Sequence, residues 1–210
     1  MNILTISGTR IVDSIEYNEY PAPNVLIKAM ELTWAKKLIN KGIIRLNPLS
    51  FYQSIESIEL GDSLEGLGEL SINNHQYSTS SLNEVFIWCC ANQNTKHSTL
   101  LGLDKHYDSI IKITNTTKFV NRIAEQLRHE KYNFSYPHIG KVNYNRSLEV
   151  TTESLQNQMW QWNTFQKSQN YEHQNEFRIV FSDLSFKLDQ AKSIDLVIGN
   201  CEDIIELIET

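Results

Sequence analysis

Apolar residues recur at helical spacing through Leu26, Met30, Trp34 and Leu38, which predicts a helix from about Val25 to Lys41 with Asn24 as N-cap and Gly42 as its stop. The pattern then changes. Ile43-Ile44-Arg45-Leu46 reads as an extended stretch ended by Pro48, followed by a short amphipathic piece from Phe51 to Ile58. The loop Gly61-Asp62-Ser63-Leu64-Glu65-Gly66 comes next, and Glu69 to Tyr77 reads as a hairpin around Asn73-Asn74. Polar residues dominate from Asn73 to Asn83, which therefore resembles a long loop.

Val85-Phe86-Ile87-Trp88-Cys89-Cys90 is a nearly continuous apolar run of strand length, and such a run predicts a central strand buried on both faces. Ser109 to Thr114 reads as another strand, and Asn115 or Thr116 opens a helix carrying Phe119, Ile123 and Leu127 to about Glu130. Strands are expected at Ile139 to Tyr144, Glu176 to Phe181 and Ile194 to Ile198. Helices are expected at Leu155 to Phe165 and Glu202 to Ile208. Strands and helices interleave without regular βαβ alternation, so the expected class is α+β, and the lack of a linker predicts one domain over residues 1–210.

Composition narrows the function classes. Hydrophobic residues make up 40% and charged residues 21%, which suits a globular chain with a sizeable core. No apolar run is long enough to span a bilayer, and Met1-Asn2-Ile3-Leu4-Thr5 lacks the order of a signal peptide, so a cytoplasmic protein is expected. Cys89, Cys90 and Cys201 form no disulfide framework and no zinc spacing, and read as free thiols. The net charge of −6 argues against a large basic face for nucleic acid, though not against a groove that grips one nucleotide. No GxGxxG or Walker-type loop is present.

Two segments carry candidate chemistry. In Lys167 to Phe181, an extended backbone would place Gln174, Glu176 and Arg178 on one face and Phe177, Ile179 and Phe181 on the other. That face builds either a site or a solvent edge, the latter with Glu176 and Arg178 as a surface ion pair. In the second segment, Arg45 stands among apolar neighbours, so it must meet an anion: a carboxylate such as Glu65 or Glu176, or a ligand phosphate. Phe51 and Tyr52 could stack on a ring, and Asp62 and Glu65 lie in a glycine-flanked loop that can approach a ligand.

The succession KGIIRLNPLSFYQSIE, LGDSLEG, VFIWCCAN and FQKSQNYEHQNEFRIVF resembles a widespread group of bacterial domains linked to phage defence and toxin–antitoxin loci. The same layout is similar to the ADP-ribosyltransferase plan: an early strand with Arg, a Ser-Thr-Ser segment, and a late strand with Gln/Glu-x-Glu. The resemblance implies a split mixed or antiparallel sheet with flanking helices, NAD as substrate and no metal. The corresponding residues are Arg45, Ser78-Thr79-Ser80, Gln174 and Glu176.

By that resemblance Glu176 stabilises the reacting ribose, Gln174 orients the acceptor, and Arg45 binds the diphosphate or ribose. Tyr52, Asp62 and Glu65 then contact NAD, and Lys167, Tyr171 and Arg178 grip the substrate. A nucleic acid or a protein is the implied acceptor, and an antitoxin or chaperone an implied partner. The residues leave other readings open. These are a non-catalytic binding or sensor module, a magnesium nuclease on Asp62, Glu65, Glu176 and Lys167, and a Cys–His hydrolase on Cys89 or Cys90 with His97, His106 or His138. The acidic positions Glu202, Asp203, Glu206 and Glu209 could form a partner-docking face.

Overall fold

The computed structural model describes residues 9–12, 15–18, 23–54, 62, 64, 66–72, 75–80, 84–134, 137–144, 147–149, 164–183 and 192–208. In chain order its elements begin with β1 (Thr9–Val12), β2 (Ile15–Asn18), β3 (Leu26–Met30), α1 (Leu32–Lys41), β4 (Ile43–Pro48) and α2 (Leu49–Ser54). Next come β5 (Leu67–Ile72), β6 (His75–Ser80), β7 (Val85–Asn92), α3 (His97–Leu101), β8 (Ser109–Ile113) and α4 (Thr116–His129). The last are β9 (His138–Lys141), β10 (Ser147–Glu149), a 3-10 turn at Gln169–Gln174, β11 (Glu176–Ser182), β12 (Ile194–Val197) and β13 (Ile205–Ile208).

The class is α+β, built on an eight-stranded, mostly antiparallel sheet with a few short helices. β1 and β2 pair separately, and β10, β5 and β6 form a three-stranded sheet of their own. The expected central strand is β7, with Val85, Phe86, Ile87 and Trp88 all buried. Its inward residues meet two layers. Phe86, Trp88 and Cys90 join Ala35 and Leu38 of α1 and Phe119, Ile123 and Leu127 of α4 in the main core. On the opposite face, Val85 and Ile87 pack with Leu49 of α2, while Ala91 packs with Leu100 of α3.

One edge of β7 is fully occupied by β11, from Val85 opposite Ser182 to Ala91 opposite Glu176. The other edge is shared. β4 pairs at one end (Asn47 with Ile87, Pro48 with Phe86) and β3 at the other (Leu26 with Asn92, Ile27 with Ala91). β3 pairs with β8 along its whole length, from Leu26 to Met30, but with β7 only at Leu26 and Ile27, and the Ile43–Leu46 part of β4 pairs with β12. The sheet therefore forks, and Trp88, Cys89 and Cys90 have no ladder partner on that side. α1 bridges the two prongs and ends at Gly42, whose φ of 67° is left-handed; an added Cβ would overlap the backbone of Gly199.

Several expectations are corrected. The first half of the Val25–Lys41 helix is β3: Leu26 and Ile27 are both buried, one on each face of the sheet, and the helix starts only after Glu31. Asn24 does not cap it; its carbonyl instead accepts from the Thr116 hydroxyl at 2.8 Å. The C-terminal helix is absent, because Ile205–Ile208 is a strand on β8. Its acidic Glu206 lies opposite Lys112 and pairs with it across the strands at 3.1 Å. Ser78-Thr79-Ser80 lies in β6 rather than a loop, because the hairpin continues past Tyr77. Most of the segment expected as a helix at Leu155–Phe165 lies outside the described residues, as do Glu65 and the end of the Phe51–Ile58 piece. Among the described residues no helix is long and apolar enough to cross a membrane.

Candidate functional site

A cleft of about 420 Å³ opens at the fork, within the range of small-molecule sites. β3, β4 and β7 form its walls, α1 and α2 add Trp34, Phe51 and Tyr52, and Lys167, Gln174, Glu176 and Arg178 line it from the β11 side.

The last four are brought together by three local devices. β11 places Glu176 and Arg178 on one face, two residues apart. An isolated bridge between Asn143 and Gln166 fixes the chain just before Lys167, whose N–H donates to the Asn143 carbonyl at 3.0 Å. Gln174 is not extended, as the alternation implied; it ends the 3-10 turn, and Asn175 takes a φ of 45° to enter the strand. The backbone turn still delivers its side chain to the same cluster.

Lys167 Nζ donates to Gln174 Oε1 at 2.8 Å and to Glu176 Oε2 at 3.2 Å. Arg178 Nε donates to Glu176 Oε1 at 2.7 Å, Nη2 reaches Oε2 at 3.4 Å, and Nη1 donates to the Thr164 carbonyl. The expected surface ion pair is thus a buried one: Arg178 is 1% and Glu176 5% exposed. Burial alone would raise the Glu176 pKa, but the Arg178 and Lys167 charges overcome it and hold the carboxyl well below the usual range. Tyr144 accepts from the Glu176 N–H at 2.7 Å, and Tyr171 offers its ring to Lys167 at 4.6 Å.

A second polar line meets Glu176 from β7. The Cys89 thiol stands close enough to Glu176 and Tyr52 to feel their charge and dipole, and the Tyr52 hydroxyl accepts from Asn47 Nδ2 at 3.5 Å. Burial, with the Glu176 charge beside it, pushes the Cys89 pKa up to about 12. Burial likewise raises Cys90 and Tyr52. Both cysteines are therefore neutral thiols, unsuited to nucleophilic attack, and no histidine lines the cleft among the described residues.

The remaining expected residues disperse. Arg45 lines the rim, and its carboxylate partner is not Glu176. It forms a bidentate pair with Asp195 of β12, at 2.7 and 2.9 Å. Asp62 is buried away from the cleft lining and accepts from the Leu64 N–H at 3.0 Å, a turn-forming contact. Tyr171 sits behind Lys167 rather than in the wall. Glu65 lies outside the described residues. Among the described residues no group of three or more His, Cys, Asp or Glu could hold a metal ion.

Sequence reasoning passed over Lys28, Asn47, Tyr144 and Thr164. Lys28 carried a readable signal, a lone cation inside the apolar stretch Val25–Met30. Asn47 meets Tyr52 only five residues on, while Thr164 and Tyr144 are recruited by Arg178 and Glu176, 14 and 32 residues further along, which no local pattern marks. Comparisons with protein-family models, curated proteins and solved structures found no match.

Proposed function

We propose that the protein is an NAD-consuming ADP-ribosyltransferase with its reaction centre at the fork of the sheet. The observation that carries the reading is Glu176, a buried and ionised carboxylate in the wall of a small-molecule-sized cleft, two residues after a glutamine held in the same cluster. The opening between the two prongs is the kind of split sheet that the ADP-ribosyltransferase resemblance implies.

When bound, NAD supplies an ADP-ribosyl group through cleavage of its nicotinamide–ribose bond. Glu176 accepts a hydrogen bond from a ribose hydroxyl and faces the positive charge that develops on the ring. Lys167 and Arg178 keep it ionised and fix its rotamer. Gln174, gripped by Lys167 through its carbonyl oxygen, orients the acceptor. Tyr52 and Phe51 provide ring faces on the α2 side. Asp195 already holds Arg45, so Arg45 reaches a ligand only by giving up that pair. The proposed acceptor is a nucleic acid or a protein, in a toxin–antitoxin or phage-defence setting with a dedicated antitoxin.

The test is incubation of the purified chain with labelled NAD and lysate, beside the Glu176→Gln variant. The reading expects label in the nucleic-acid or protein fraction and a loss of at least about a hundredfold with the isosteric amide, the scale of removing one electrostatic stabiliser. No label and no nicotinamide release overturn it.

One observation favours a second reading, a binding module without turnover. Both Glu176 oxygens already accept from cations, which lowers the carboxylate's power to offset a developing positive charge. Ligand binding by both wild type and Glu176→Gln, with no turnover in either, supports that module.

A further inference from the structure

We infer that Lys28 is the anion-holding residue of the cleft, and that the group it takes is a phosphate on a ligand that also carries a flat ring. The inference names the phosphate subsite of the cleft described above and rests on the transferase reading only for the ligand's full identity.

Lys28 stands on β3 just where that strand leaves β7. Continued pairing would have set a backbone N–H against the Cys89 carbonyl; instead the Lys28 ammonium donates to it at 2.6 Å. The same ammonium lies 4.9 Å from the centroid of a Trp88 ring. These contacts position the charge at the apex of the fork but do not neutralise it, since a carbonyl and a ring face offer only partial charges.

The other cations of the cleft are answered by carboxylates. Arg45 has Asp195, and Lys167 and Arg178 share Glu176. Among the described residues no carboxylate lies within ion-pair reach of Lys28. An ammonium has three donors, and the Cys89 carbonyl takes one. Glu31 and Asp104 also line the cleft, so its overall field is not strongly positive, and an anion must be held by direct contact rather than drawn in at a distance.

The ring requirement comes from the mouth. Trp34 and Phe51 line the cleft and are 43% and 41% exposed, although they are large and apolar. Lys37 already lies 3.9 Å over one face of Trp34, so the ring surface left to a ligand is the exposed remainder of Trp34 and Phe51. Beside the half-buried Lys28 ammonium that surface suits a phosphate joined to a planar base, stacked and ion-paired at once.

Calorimetry on the full chain tests this with inorganic pyrophosphate, ADP-ribose and phosphate-free adenosine as probes. Lys28→Met, which keeps an aliphatic stem over Trp88, should weaken pyrophosphate and ADP-ribose about tenfold or more, the worth of a charged hydrogen bond. Adenosine binding should be unchanged, Lys28→Arg should restore most of the loss, and Lys112→Met, at a lysine outside the cleft, should leave all three probes unaffected. The proposal falls if wild type binds neither phosphate probe, if Lys112→Met weakens the phosphate probes as much as Lys28→Met, or if Lys28→Met weakens adenosine equally.

Should Lys28→Met fail to fold, wild type decides. Pyrophosphate must alter tryptophan emission, and Trp88→Phe must abolish the change; no change overturns the proposal. The two readings separate cleanly. Phosphate binding through Lys28 without label transfer from NAD removes the transferase alone. Label transfer that is indifferent to Lys28→Met removes the phosphate subsite alone.

Discussion

Two arginine–carboxylate pairs in this protein have the same shortest contact and opposite surroundings. Arg178 and Glu176 meet at 2.7 Å with side chains 1% and 6% exposed; Arg45 and Asp195 meet at 2.7 Å with side chains 57% and 58% exposed. Both look like strong bidentate links on paper. In water the second gains little, because solvent screens the charges and two long side chains must be ordered. Inside, the first cannot be dissected without leaving an unanswered charge, and its cost of desolvation is met only because Lys167, Gln174 and the Thr164 carbonyl complete the set. Contact distance alone therefore says nothing about which pair holds the fold and which decorates it.

The largest effect expected from breaking this comparison is at Glu176. Glu176→Ala leaves Lys167 and Arg178 buried without their carboxylate, and should cost about 3–5 kcal/mol, read as a lower midpoint in urea unfolding. A loss below that of an exposed pair would mean that water reaches the cluster and that its burial does not decide its energy.

The pH dependence follows next, with a definite sign. The folded Glu176 pKa lies below its unfolded value, so its contribution is fully present above the ordinary carboxylate range near about pH 4.3 and is lost as pH falls below it. Urea midpoints measured from pH 7 down to pH 3 should fall more steeply for wild type than for Glu176→Gln. Parallel curves would sink the assignment.

The exposed pair should respond weakly. Asp195→Asn is expected to cost no more than about 1 kcal/mol, and added salt should shrink that difference further. A cost rivalling that of Glu176→Ala would promote Arg45 from the rim to a structural anchor.

The smallest change concerns Cys89, whose half-buried thiol has its pKa pushed up to about 12 and should react slowly with a disulfide reagent in the native protein and rapidly after unfolding. Fast native labelling at Cys89 would mean that the cleft floor opens to solvent and would revive a thiol-based chemistry.

Much of this architecture was legible in local patterns. The apolar run at Val85 could bury both faces only as a central strand, Gly42 had to end a helix in the left-handed region, and Asn115 caps α4 by accepting from the Lys118 N–H. The candidate site was half legible. Glu176 and Arg178 share a face by strand period, and Lys167 and Gln174 stand close in sequence, so their meeting needed only a short turn.

Other features depended on long-range partners. Leu26 to Met30 has a spacing compatible with helix or strand, and only β8 and the end of β7 made it a strand. Ile205–Ile208 likewise became an edge strand because β8 offered a free ladder. Arg45 demanded an anion from its surroundings, but Asp195 comes from β12, 150 residues further along the chain.

Residue order determined the α+β class, the strand that runs through the centre and the nearness of Lys167, Gln174 and Arg178 to Glu176, because these follow from periodicity and short separations. Tertiary structure alone decided that the sheet forks, that one ion pair is buried and the other wet, and that Lys28 faces a gap. Each of these depends on which distant strand claims an edge, and edge pairing is a competition between backbone donors and acceptors that side-chain patterns do not encode.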